Sequence, residues 1–161
     1  MRSVGLFVVG LALAVQTSLA AEIPLPGTLQ AFNHCLKTNA TPLVANEDLL
    51  KVCLKTHARE MGSKTTGVGG AYREVEGRIA FILELANMST DKLMTGVSIN
   101  LKHPKQKAPQ KFVLEPVGIL PGTVSLIPLS NLEYVPAKSE LAESNASLEV
   151  VESYGLTVEL Q

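Results

Sequence analysis

The chain has no tryptophan, and four Phe and three Tyr are its only other large aromatics in 161 residues. Stacking platforms for bases or sugars are therefore poorly supplied. It also lacks a charge excess: 14 basic side chains stand against 15 acidic ones, a net charge of −1. Such a balance leaves no electrostatic footprint for nucleic acid or a strongly charged membrane. Histidine is scarce, with His34, His57 and His103 alone, and Cys35 and Cys53 are the only cysteines. No G-x-S-x-G element, repeat or low-complexity tract occurs. After residue 20 no stretch is apolar enough to span a bilayer. These absences predict a protein without enzymatic activity and without a cofactor.

The one long hydrophobic run, Val4 to Val15, follows Arg2 and precedes Ser18-Leu19-Ala20. A basic start, a run too short for a comfortable span and a small-residue site predict a secretory signal peptide over residues 1–20. The protein is then exported, to a periplasm or the extracellular space, with no transmembrane segment left after cleavage. In an oxidising compartment Cys35 and Cys53 are expected to form a disulfide. Closing a loop of about 19 residues, it contributes about 3 kcal/mol on the chain-entropy account.

Residues 21–61 read as a helical hairpin. Thr28 caps a first helix with Leu29, Phe32, Cys35 and Leu36 apolar, ending near Asn39 before Pro42. Asn46 caps a second, with Glu47 and Asp48 at its positive end. Leu50, Cys53, Leu54, His57 and Met61 form its apolar stripe, and Gly62 stops it. Residues 62–70, rich in glycine, read as a linker.

Residues 71–161 read as an antiparallel β-sandwich of immunoglobulin-like size. Ile79, Phe81, Leu83 and Leu85 alternate with outward residues, as do Val97, Ile99 and Leu101, so Arg78 to Lys102 reads as a central hairpin turning at Asn87 to Lys92. Phe112 and Leu114 face inward on a strand over Lys111 to Glu115. Leu120-Pro121-Gly122 reads as a type II turn leading to a strand over Thr123 to Leu129. A short helical turn fits Ser139 to Glu143. Ser147 to Glu152 and Leu156 to Leu160 form a last pair joined at Ser153-Tyr154-Gly155.

The order Gly77, Asn87-Met88-Ser89, Leu120-Pro121-Gly122 and the strand after it resembles the FxLyD-type extracytoplasmic immunoglobulin-like domains. The Leu-Tyr-Asp element that names the group is absent; Leu101-Lys102-His103 stands about where it would fall. The resemblance covers about residues 71–160. It implies a binding or scaffolding role and brings no active site. The chain as a whole reads as a binding or assembly module acting through the loops of the sandwich, with another protein or an envelope component as partner.

Two constellations could carry chemistry. Cys35, Cys53 and His57 offer a zinc or copper site if the thiols stay reduced, with His34 about 100° off the inward stripe of its helix. A metal-binding protein is thus the alternative function, and a secreted hydrolase with a triad assembled in space is another. Lys102, His103, Lys105, Lys107 and Lys111, with Lys92, crowd positive charge onto one loop region that could meet an anionic partner. Asn39, Asn87 and Asn145 head N-glycosylation sequons, used only in a host that glycosylates.

Overall fold

The computed structural model describes residues 24–158 except 43, 44 and 63. The expected signal peptide lies outside the described residues, as does Leu160. Helix α1 spans Leu29–Asn39 and α2 spans Asn46–His57. The Thr28 hydroxyl accepts from the Ala31 amide at 3.1 Å, the expected cap. At α2 the cap position belongs to Ala45, which has no side chain to offer. Asn46 is already helical, and Glu47 and Asp48 offset the exposed amide dipoles of the first turn instead. Cys53 and Leu54 are buried and Leu50 half-buried on the expected stripe, which Leu49, also buried, widens by one position.

The helices are joined by the Cys35–Cys53 disulfide, with Cα atoms 5.8 Å apart. Their core of Phe32, Leu49, Cys53 and Leu54 is completed by Leu156, which comes from the last strand of the sandwich. The hairpin therefore does not stand apart. It stops at His57 rather than at Gly62 because Arg59–Glu60 leave as a short strand, β1. β1 pairs antiparallel with Gly155 and Tyr154, the next amide, of Met61, donates to the Ser153 carbonyl, and Met61 buries its side chain in the main core.

The remaining strands are β2 (Thr66–Val75), β3 (Arg78–Asn87), β4 (Lys92–Lys102), β5 (Gln110–Leu114), β6 (Val124–Leu129) and β7 (Ser147–Thr157), with a 3-10 turn at Lys138–Glu143. They form two antiparallel sheets, β1-β7-β4-β5 and β2-β3-β6. Phe81, Leu83 and Leu85 from one sheet meet Met94, Val97, Ile99 and Leu101 from the other in a single core. The chain is thus mainly β, a sandwich preceded by a disulfide-linked helical hairpin.

Among the strands, three expectations change. First, Arg78 to Lys102 is not a hairpin: β3 and β4 lie in different sheets. Both have an apolar face, but the faces oppose each other across the core. The crossing is pinned by Asn87, whose amide donates to the Lys92 and Ile119 carbonyls at 2.7 and 2.8 Å and whose oxygen accepts from the Ser89 amide. The tight hairpin is β2–β3, turning at Glu76 and Gly77 with φ of 51° and 77°, as a type I′ turn requires.

Second, Thr66 to Gly70 belong to β2 rather than to a linker. Gly70 serves close packing: a Cβ there would lie 2.6 Å from both the Phe81 ring and the Ile82 carbonyl. Third, Ser147 to Thr157 is one strand rather than two. The ladder skips Val151 between Glu152↔Ser98 and Val150↔Ile99, and this bulge reverses the alternation. Ser153-Tyr154-Gly155 is no turn; Gly155 admits the Leu93 carbonyl and the Met61 sulfur, which a Cβ would meet at 2.8 and 2.9 Å.

Candidate binding surface

In the hairpin, the disulfide holds both sulfurs that a metal reading would need as thiolates. Cys53 is fully buried, His57 is half-buried with a Nδ1 that has no partner among the described residues, and His34 is exposed. Among the described residues no group of three His, Cys, Asp or Glu stands close enough to hold a metal.

The basic loop is more ordered than its composition implies. His103 is 4% exposed. Its ring stacks on Tyr134 at 4.0 Å between centroids and meets Tyr72 edge-on, and Tyr72 in turn meets Phe81 edge-on. His103 Nδ1 accepts from the Lys105 amide at 3.1 Å, which folds the loop back on itself. Burial, helped by the Lys105 charge, holds the imidazole below its ordinary pKa, while Glu140 opposes the shift. Lys105 Nζ sits 2.7 Å from Glu140, and the bond lowers the pKa of the carboxyl and raises that of the ammonium. Lys111 approaches Glu152 at 4.0 Å. Lys102 and Lys107 are exposed, with no ion pair among the described residues. Tyr72, Tyr134 and Glu140 thus anchor the loop, a role that only their distant pairing reveals.

A cleft of about 440 Å³ lies between α2 and the four-stranded sheet, lined by Lys51, Leu54, Lys55, Ala58, Glu115 and Tyr154. Its polar groups are already engaged in part: Lys51 pairs with Glu47 at 2.8 Å and the Tyr154 hydroxyl donates to Glu152 at 2.9 Å.

The two outer sheet faces differ most. On the four-stranded sheet, Ser98 donates to Glu152 and Asn100 to Glu149 across neighbouring strands, and Lys111 lies beside them. That face carries internally hydrogen-bonded polar pairs, with Val113 and Val151 exposed among them. On the three-stranded sheet the register aligns Gly67, Ala86 and Val124 in one row, Gly69, Glu84 and Leu126 in the next, and Ala71, Ile82 and Pro128 in a third. Nothing among the described residues covers it: Leu126 is 66% and Val124 61% exposed, and Met88, also exposed, lies over Gly67. A largely apolar face, interrupted here by Glu84, costs free energy in water unless something covers it, which makes it the candidate interaction surface. Alternation in the sequence identifies the inward face of each strand; it does not show that the outward residues of three strands would meet in one apolar sheet.

Of the sequons, Asn39 and Asn145 are exposed, whereas the Asn87 amide nitrogen is spent on two backbone carbonyls inside the fold. Among the described residues no helix is long and apolar enough to cross a membrane. No family model, curated protein or solved structure matches this chain, so the surface is judged on its chemistry alone.

Proposed function

We propose that the protein is an exported, non-enzymatic binding or assembly module whose working surface is the open face of the three-stranded sheet. The observation that carries this reading is the exposure of Val124, Leu126 and Pro128 beside Ile82 and Ala71 on a regular, rigid sheet. The disulfide supports a life outside the reducing cytosol. The strand orders β2-β3-β6 and β1-β7-β4-β5 support an immunoglobulin-like classification, with β1 filling the edge beside β7. The partner is a protein or an envelope component with an apolar surface of its own.

Site-specific photocrosslinking in the export compartment tests the proposal. A photoreactive residue replacing Leu126 should give a discrete covalent adduct, and one replacing Val113, equally exposed on the other sheet, should not. Adducts at Val113 or at Lys107 with none at Leu126 would move the function to the polar sheet or the basic loop.

A further inference from the structure

The charged side chains on the open sheet face identify what covers it. They are Glu84 on β3, Arg73 on β2 and Arg78 at the start of β3. None has an ion-pair partner among the described residues. Glu84 stands two residues to one side of Ile82 along β3; Arg73, opposite Ala80, stands two residues to the other side. At about 3.4 Å per residue each charge lies about 7 Å from the level of Ile82, in opposite directions.

Equal and opposite offsets make the face complementary to itself. Consider a two-fold axis lying between two such faces and crossing the strands at Ile82. It reverses the strand direction of the second copy, places Ile82 over Ile82, and brings the Glu84 row of each copy over the Arg73–Ala80 row of the other. The two strands concerned are about 4.8 Å apart laterally, and packed sheets are about 10 Å apart, a gap that Glu and Arg side chains span together. An axis running along the strands would instead set Glu84 against Glu84, which like charges oppose. The face therefore selects antiparallel over parallel pairing.

We infer that this face is the interface of a two-fold symmetric dimer of the chain, in which Glu84 of each copy pairs with Arg73 of the other and Ile82, Leu126 and Pro128 are covered. This rests on the reading of the face as the working surface and names its partner as a second copy. Three strands give a strip about 14 Å wide and, from Gly67 to Val75, about 26 Å long. Two such strips come to about 700 Å² of projected area, below the range of stable specific interfaces, so the dimer is a weak, transient one that forms reversibly in the upper micromolar range.

Sedimentation equilibrium of the disulfide-bonded protein, from about 1 µM to about 500 µM, tests the inference where an interface of this size dissociates. The expected result is a monomer–dimer equilibrium. Glu84→Arg and Arg73→Glu should each weaken it at least about tenfold, and the double variant should recover most of the loss. Urea midpoints measured beside each sample show that every variant is folded. A monomer at every concentration overturns the inference, as does a dimer that neither reversal weakens. If the photocrosslinked adduct at Leu126 has a mass other than twice the chain, the dimer fails while the binding surface stands; no adduct at Leu126 overturns both.

Discussion

Asn87 does more for this fold than any single apolar side chain reveals. It is almost fully buried, its amide joins the end of β3 to the carbonyls of Lys92 and Ile119, and its backbone bonds to Thr123 and Gly122. Buried carbonyls left without a donor cost about 1–3 kcal/mol each, so Asn87→Ala should destabilise by about 2–4 kcal/mol in urea unfolding. Asn145→Ala, on an exposed loop, should change little. An Asn87→Ala protein as stable as the parent would show that the crossing between sheets is held elsewhere. His103 makes a second residue-scale case. Its folded pKa lies below the ordinary value of 6.5 because burial disfavours the imidazolium. The neutral ring is therefore a source of stability that is full above about pH 6.5 and lost as pH falls toward the lowered pKa. Stability should decline as pH falls below about 6.5, and His103→Asn, which keeps an acceptor, should flatten that decline. An unchanged slope in the variant would assign the titration to another group.

At the scale of elements, the inward faces were legible and the pairings were not. Phe81, Leu83, Leu85, Val97, Ile99 and Leu101 are all buried as their alternation predicts, and the Cys35–Cys53 hairpin is where helix periodicity puts it. Alternation records which side of a strand is dry, not which sheet the strand joins; β3 and β4 could have formed a hairpin by that rule alone. The bulge at Val151 hid the length of β7 for a similar reason, since a parity change reads as a break. The open sheet face stayed invisible because its rows combine residues from three strands. Leucines on the two sides of this sheet give a direct contrast. Leu83 is fully buried and Leu83→Ala should cost about 2–5 kcal/mol, whereas Leu126→Ala should stay within about 0.5 kcal/mol. The β2–β3 turn offers the opposite sign: Glu76 has a positive φ that Asn tolerates better, so Glu76→Asn should stabilise by about 0.5–1 kcal/mol in the same assay. A loss of stability there would contradict the turn type.

The whole molecule combines a staple, a sandwich and two unlike surfaces. The hairpin is fastened to β7 by Leu156 and by the Thr157–Gly27 backbone bond, and to itself by a disulfide across 18 residues. Replacing both cysteines by serine should lower stability by about 3 kcal/mol through the unfolded chain's regained freedom. One outer face satisfies its polar groups within itself, and the other presents Val124, Leu126 and Pro128 to water. A fold that needs only to be stable has no use for that second face, and its exposure is the reason for reading the protein as a module that works by being covered. Oxidative footprinting compares the two faces directly, in the protein's native compartment and in dilute purified protein. The account predicts that Leu126, Val124 and Met88 are protected in the compartment while Val113 is oxidised equally in both. Equal oxidation of Leu126 in both samples, or protection confined to Val113 and the Lys102–Lys107 loop, would contradict it.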